Sequence, residues 1–270
     1  MAMHTHAFAA QCAAEELRCT APPRTDARTK LTLFALALGT FAIGTGEFGS
    51  NGIIELLSED LHVSVPTTTY AVTAYAVGVM IGSPTITIAA ARLNRKKTLL
   101  LALVLLFVLG NLASALSNTI GMLIGARFIT GTVQGAYFGA GAVVAAHAYG
   151  PGRGGKAFAA VMTGLTVATI VGSPMGTFLG QRFGWQTLYL AVAVLGATAG
   201  LALLLWVPRT AELDGGPIIQ ELSALRRPMV WVVCAVAAFG IASIFAVYAF
   251  IGTYVVDAVG DSPAVIPPSA

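Results

Sequence analysis

The chain has 270 residues, of which 56% are hydrophobic and only 10% charged. Soluble domains carry about 25% charged residues, so a fully water-facing surface is excluded and the bilayer becomes the expected solvent. The net charge of +3 is too small to indicate a nucleic-acid partner, so what matters is where the charges lie.

Residues 1–30 hold Glu15, Glu16, Arg18, Arg24, Asp26 and Arg28 without an apolar core, which predicts a cytoplasmic tail rather than a cleaved signal peptide. An apolar helix needs about 20 residues to cross a hydrocarbon layer of about 30 Å. Seven segments qualify: Leu31–Ile54, Thr67–Ala91, Thr98–Leu116, Ile120–Ala148, Ala157–Gln181, Trp185–Val207 and Met229–Thr253. Short breaks with charge, Pro or Gly join the first six, predicting hairpins in a six-span bundle over 31–207. Between them and the last span, residues 208–228 mix Arg209, Glu212, Asp214, Glu221, Arg226 and Arg227 with Ile218, Ile219, Leu222 and Leu225. Spacings of three and four predict a cytoplasmic linker with a short amphipathic helix on the membrane surface. The seventh span, 229–253, leads into an outer-face tail, 254–270. The fold class is thus an all-α membrane protein. Cys12, Cys19 and Cys234 are scattered, so neither a disulfide framework nor a metal site is expected, and no cofactor is implied.

Orientation follows from the basic residues. With the amino terminus in the cytoplasm, thirteen fall inside: Arg18, Arg24, Arg28, Lys30, Arg92, Arg95, Lys96, Lys97, Arg153, Lys156, Arg209, Arg226 and Arg227. Only Arg182 falls outside, and Arg127 lies within a span. The positive-inside rule therefore predicts a cytoplasmic amino terminus.

Glu47 and Arg127 are the charges expected at membrane depth. Such a charge costs at least ~2.5–3.5 kcal/mol on insertion scales and normally faces a partner or a wet cavity. Each is about seven residues from the outer end of its predicted span, so both should lie about 10 Å below that edge and would meet if their helices were neighbours. Steps of three and four from Glu47 reach Thr40, Gly44, Ser50 and Asn51, and from Arg127 they reach Thr130, Gly131, Gln134 and Phe138. Tyr70 and Thr73 share a face of the second span, as do Thr166, Thr169 and Ser173 of the fifth. Together these stripes predict a water-accessible pathway, although Ser and Thr also bond their own helix backbone. The fifth span also places Gly164, Gly172, Gly176 and Gly180 on one face, suited to close helix approach, and Pro174 is expected to kink it.

These residues resemble the major facilitator superfamily, and within it the drug/proton antiporters of arabinose-efflux and chloramphenicol-resistance type. The resemblance runs from about Leu31 to Asp261. It is carried by LGTFAIGTGEFGSNGII in the first span, ARLNRKK after the second, ARFITGTVQGA in the fourth and GLTVATIVGSPMGTFLG in the fifth. It implies that Arg127 matches an arginine linked to proton transfer. Arg92, Arg95 and Lys96 match the family's basic loop, and Gly164, Gly172, Pro174, Gly176 and Gly180 match its antiporter motif. Ala91 stands where that loop usually has aspartate, so the charge relay attributed to the aspartate does not carry over. The family fold has two six-span bundles with the substrate between them. By that measure five spans are missing, and the Pro-rich end DSPAVIPPSA predicts truncation, or else a partner chain that completes the pore.

The resemblance implies proton-coupled efflux of small molecules, of drug or sugar type, in a bacterial inner membrane, with Glu47, Arg127, Asn51, Gln134 and Tyr70 as coupling and substrate residues. The alternative is a truncated chain that transports nothing. A retinal photoreceptor would need a lysine in its last span, but no lysine follows Lys156. An intramembrane enzyme would need a nucleophile–base pair at depth, and His147, at a cytoplasmic helix end, has no acidic partner in sequence reach.

Overall fold

The computed structural model describes residues 27–90, 96–150, 152–208 and 228–259. Among these residues, six helical segments are long and apolar enough to cross a membrane. The first is compound: α1 (Ala27–Gly49), a 3-10 turn (Ser50–Ile53) and α2 (Ile54–Asp60). The next three are α3 (Val65–Ala90), α4 (Lys96–Ala115) and α5 (Ile120–Tyr149). The fifth is again compound, with α6 (Gly154–Val167), a π-helical turn (Ala168–Gly172) and α7 (Ser173–Phe183), and the sixth is α8 (Trp185–Trp206). A further helix, α9 (Pro228–Val259), covers the last predicted span. Arg92 and Arg95, and the amphipathic helix expected within 208–228, lie outside the described residues.

Local chemistry accounts for the boundaries. Thr119 caps α5, its side chain accepting the Met122 N–H at 3.3 Å, as an N-cap residue does for an orphan donor. Gly184 alone separates α7 from α8 and has φ 92°, a left-handed conformation that favours glycine. Pro174 lies in the first turn of α7, just after the π turn. A proline has no N–H to give and crowds the carbonyl four residues earlier. The wider turn takes up that misfit, so the disturbance expected at Pro174 takes the form of a π turn.

The bundle packs in pairs. α3 lies along α5, α4 along α8 and α5, and α1 along α8 and α6. Leu36, Phe107, Leu123, Tyr137 and Leu188 are fully buried between them, and the Tyr137 hydroxyl donates to the Leu36 carbonyl at 3.2 Å. Polar ties close both ends of the core. At the end expected to be cytoplasmic, Lys97 Nζ donates to the Leu204 carbonyl at 2.8 Å and to the Val207 carbonyl, a cation on the last carbonyls of α8. At the opposite end, Asp60 accepts from Trp185 Nε1 at 2.7 Å and from Gln186 Nε2 at 3.3 Å. Trp185 is buried, so Asp60→Ala strands an indole N–H. A loss of about 1–3 kcal/mol is expected, measured as a lower thermal midpoint of the purified chain in detergent.

Candidate functional site

Glu47 sits on α1, half-buried, one turn before the 3-10 segment. Its Oε2 accepts a hydrogen bond from Gln134 Nε2 of α5 at 2.8 Å. Arg127, on the same helix as Gln134, is 1% exposed. Its guanidinium carbon stands 4.3 Å from the ring centroid of Tyr75 on α3 and 5.6 Å from that of Tyr189 on α8. Its Nε and Nη1 are buried without hydrogen-bond partners, as are the Tyr75 hydroxyl and Gln134 Oε1.

The expected meeting of Glu47 with Arg127 is therefore corrected. They form no ion pair, and the Glu47 carboxylate is bonded by Gln134 instead. The cause lies in the first span, which continues beyond Ile54 through α2 to Asp60, with Leu57 buried. That places Glu47 about 20 Å from the Asp60 end of its helical segment, level with Gln134, while Arg127 lies about 10 Å from the start of α5. Relative to α5, the carboxylate is thus about two helical turns from the level expected for it.

Tyr75 reaches Arg127 because α3 and α5 approach closely. A Cβ on Gly131 would collide with the backbone carbonyl of Tyr75, and one on Gly78 with that of Phe128. Gly135 N donates to Ser83 Oγ at 3.1 Å in the same seam. Small residues four apart permit this contact between backbones. Gly131 lies one turn past Arg127, so the contact that needs its missing side chain also sets the Tyr75 ring over the guanidinium.

The remaining sequence-predicted residues are dispersed. Tyr70 is 61% exposed near the start of α3, and Asn51 is half-buried in the 3-10 turn. Most hydroxyls of the expected stripes have backbone partners among the described residues. Thr40 donates to the Val161 carbonyl at 2.6 Å, which ties α1 to α6. Ser50, Thr73, Thr166 and Thr169 bond to backbone carbonyls of their own helices. Gly164, Gly172, Gly176 and Gly180 all lie against the first span, and a Cβ on each would meet Ala37 and Thr40, Thr45, Gly49 and Leu188, or Ile53. Lys96 is half-buried at the start of α4 and His147 exposed in the last turn of α5. Tyr75 and Tyr189 were not singled out from the sequence. The usable signal was chemical: a buried cation is attracted to aromatic faces, and both tyrosines lie in predicted spans.

Residues 36–268 match the sequence profile described as the Major Facilitator Superfamily. The chain belongs to that family. It is 35% identical over 219 residues to the inner membrane transport protein YdhP of Escherichia coli (strain K12), covering 81% of this chain and 56% of YdhP. It is 31% identical over 234 residues to a chloramphenicol resistance protein of Streptomyces lividans, covering 85% of this chain and 59% of that protein. Among solved structures it is similar to a bacterial homolog of the human lysosomal transporter Spinster, inward-facing and unoccupied. The TM-score is 0.66 at 15% identity, with 88% of this chain and 57% of that one covered. The chain thus spans little more than half the length of the relatives it matches. It is a multi-pass membrane protein of a transporter family, not an enzyme.

Proposed function

We propose that the chain forms the amino-terminal bundle of a proton-coupled efflux transporter for small molecules, in a bacterial inner membrane with its amino terminus cytoplasmic. The observation that carries this reading is the Glu47 carboxylate, deep in the first span and held by Gln134 at 2.8 Å beside the buried Arg127. An ionisable residue inside a membrane span is by default read as part of a proton or substrate path. Glu47 would take a proton from one side of the membrane and release it to the other as substrate binds. Arg127 would supply a positive charge whose distance from Glu47 changes as the bundle rocks. The second bundle, from a continuing chain or a partner, would complete the substrate cavity. The likeness to a chloramphenicol resistance protein favours a drug-type substrate, and the thirteen-to-one distribution of basic residues supports the orientation.

The test is accumulation of chloramphenicol in sensitive cells producing the chain, alone and with the carboxy-terminal part of a full-length relative. The native pair should lower accumulation in a manner abolished by collapsing the proton gradient, and Glu47→Gln should return it to the level of empty cells. Equal accumulation with native chain and Glu47→Gln would sink the reading. A non-transporting chain is the second reading, favoured by the 56–59% coverage of its curated relatives. It predicts no lowering of accumulation by the chain produced alone.

A further inference from the structure

We infer that Tyr75 and Tyr189 are positioning residues, holding the Arg127 guanidinium by their ring faces at its own level on α5, apart from Glu47. The inference rests on reading Glu47 as the proton-carrying group. Three helices supply the arrangement: α5 carries the cation, and α3 and α8 carry rings 4.3 Å and 5.6 Å from it. A carboxylate in their place would bind the guanidinium in a two-pronged pair and hold it there. Ring faces attract a cation without accepting its protons in that way, which agrees with Arg127 Nε and Nη1 having no partners. The separated charges of Glu47 and Arg127 thereby remain free to respond to one another.

Both rings are fixed from outside the site. Tyr75 is set by the contact of its own carbonyl with Gly131. Tyr189 meets Trp185 edge-on, centroids 6.0 Å apart at 79°, and Trp185 is in turn held by Asp60. The Tyr75 hydroxyl is buried and makes no hydrogen bond, so the ring is the part of that side chain that acts. This separates the inference from a hydrogen-bonding role for Tyr75.

The experiment uses the full chain labelled with 15N-arginine in detergent micelles. The Arg127 Nε–H signal is identified as the one lost in Arg127→Lys. A proton above a ring face is shielded, so this signal should lie upfield of the other arginine signals. Tyr75→Phe should leave it there, Tyr75→Leu should return it to the ordinary range, and Tyr189→Leu should move it part of the way. Tyr75→Met, of similar bulk, replaces Tyr75→Leu if that variant does not fold. An unchanged signal in the variants lacking the Tyr75 ring overturns the inference, as does displacement by Tyr75→Phe equal to that by Tyr75→Leu. In the chloramphenicol assay, Tyr75→Leu should alter the pH profile of efflux while Tyr75→Phe keeps the native profile. An upfield Arg127 signal in a native chain that exports nothing would count against the transport reading and leave the positioning intact.

Discussion

Gly164→Ala should lower the thermal midpoint of the purified chain by roughly 5–10 °C, the shift that about 2–3 kcal/mol gives in a protein of this size. Gly164 lies where α6 crosses α1, and a Cβ there would fall on the Ala37 carbonyl and the Thr40 hydroxyl. A backbone carbonyl cannot rotate away as the end of a side chain can. The Thr40 hydroxyl is also committed, its one proton shared between the Ala37 carbonyl at 2.9 Å and the Val161 carbonyl at 2.6 Å. A methyl group must therefore separate the helices or break the bond that ties them, which places the change at the upper end of the ~1–3 kcal/mol usual for overpacking. Gly125→Ala is the control. Nothing lies within 4 Å of a Cβ built on Gly125, and removing a glycine from a helix interior gains about 0.5–1 kcal/mol. Thermal unfolding of the two variants side by side should thus show opposite signs. Equal shifts would mean that the α1–α6 contact is looser than the structure shows.

The contrast between those two glycines shows what the sequence made legible. Four glycines spaced by four and eight residues announce a helix face without side chains, and that face lies against the first span. The spans themselves were legible because runs of about 20 apolar residues end in charges or turn residues. The end of the first span was not. Glu55, Glu59 and Asp60 follow Ile54 and resemble a loop, yet a 3-10 turn carries the helix on through them with Leu57 buried. That difference of six residues placed Glu47 opposite Arg127 in the sequence reading and opposite Gln134 in the structure. Tyr70 drew attention because it shares a helical face with Thr73. Tyr75, five residues on, points elsewhere on α3, and only the α3–α5 packing brings it to the cation. Periodicity reports which residues share a face, whereas the partner of that face is a tertiary property. The same limit hid Tyr189, whose place depends on Trp185 and through it on the end of the first span.

Arg127→Met is expected to leave the purified chain as stable as the native one or more stable, while abolishing the proton-dependent efflux proposed for the chain joined to a second bundle. Transferring a charge from water to a protein interior carries an effective penalty of several kcal/mol. Against it stand two cation–ring contacts, worth about 2 kcal/mol each when desolvated, the one to Tyr189 less for its longer distance. Two of the guanidinium nitrogens add no hydrogen bonds within the protein, so the attraction does not cover the penalty. Methionine fills a similar elongated space, packs well against aromatic rings and removes the unpaired donors. Replacing whole buried ion pairs with apolar groups of similar volume has been neutral or stabilising by about 1–4 kcal/mol in other proteins, and Arg127 forms no ion pair whose partner its loss would strand. Arg127→Lys should behave differently, because it keeps the buried charge but loses the planar group that stacks on the rings. The expected order of thermal midpoints is therefore methionine at or above native, with lysine lowest. Efflux, measured as the proton-gradient-dependent fall in chloramphenicol accumulation, should be lost with methionine despite its stability. A marked loss of stability in Arg127→Met would instead identify the arginine as a structural strut. Stability that holds or rises as efflux disappears is what a charge retained for coupling, at the expense of folding free energy, predicts.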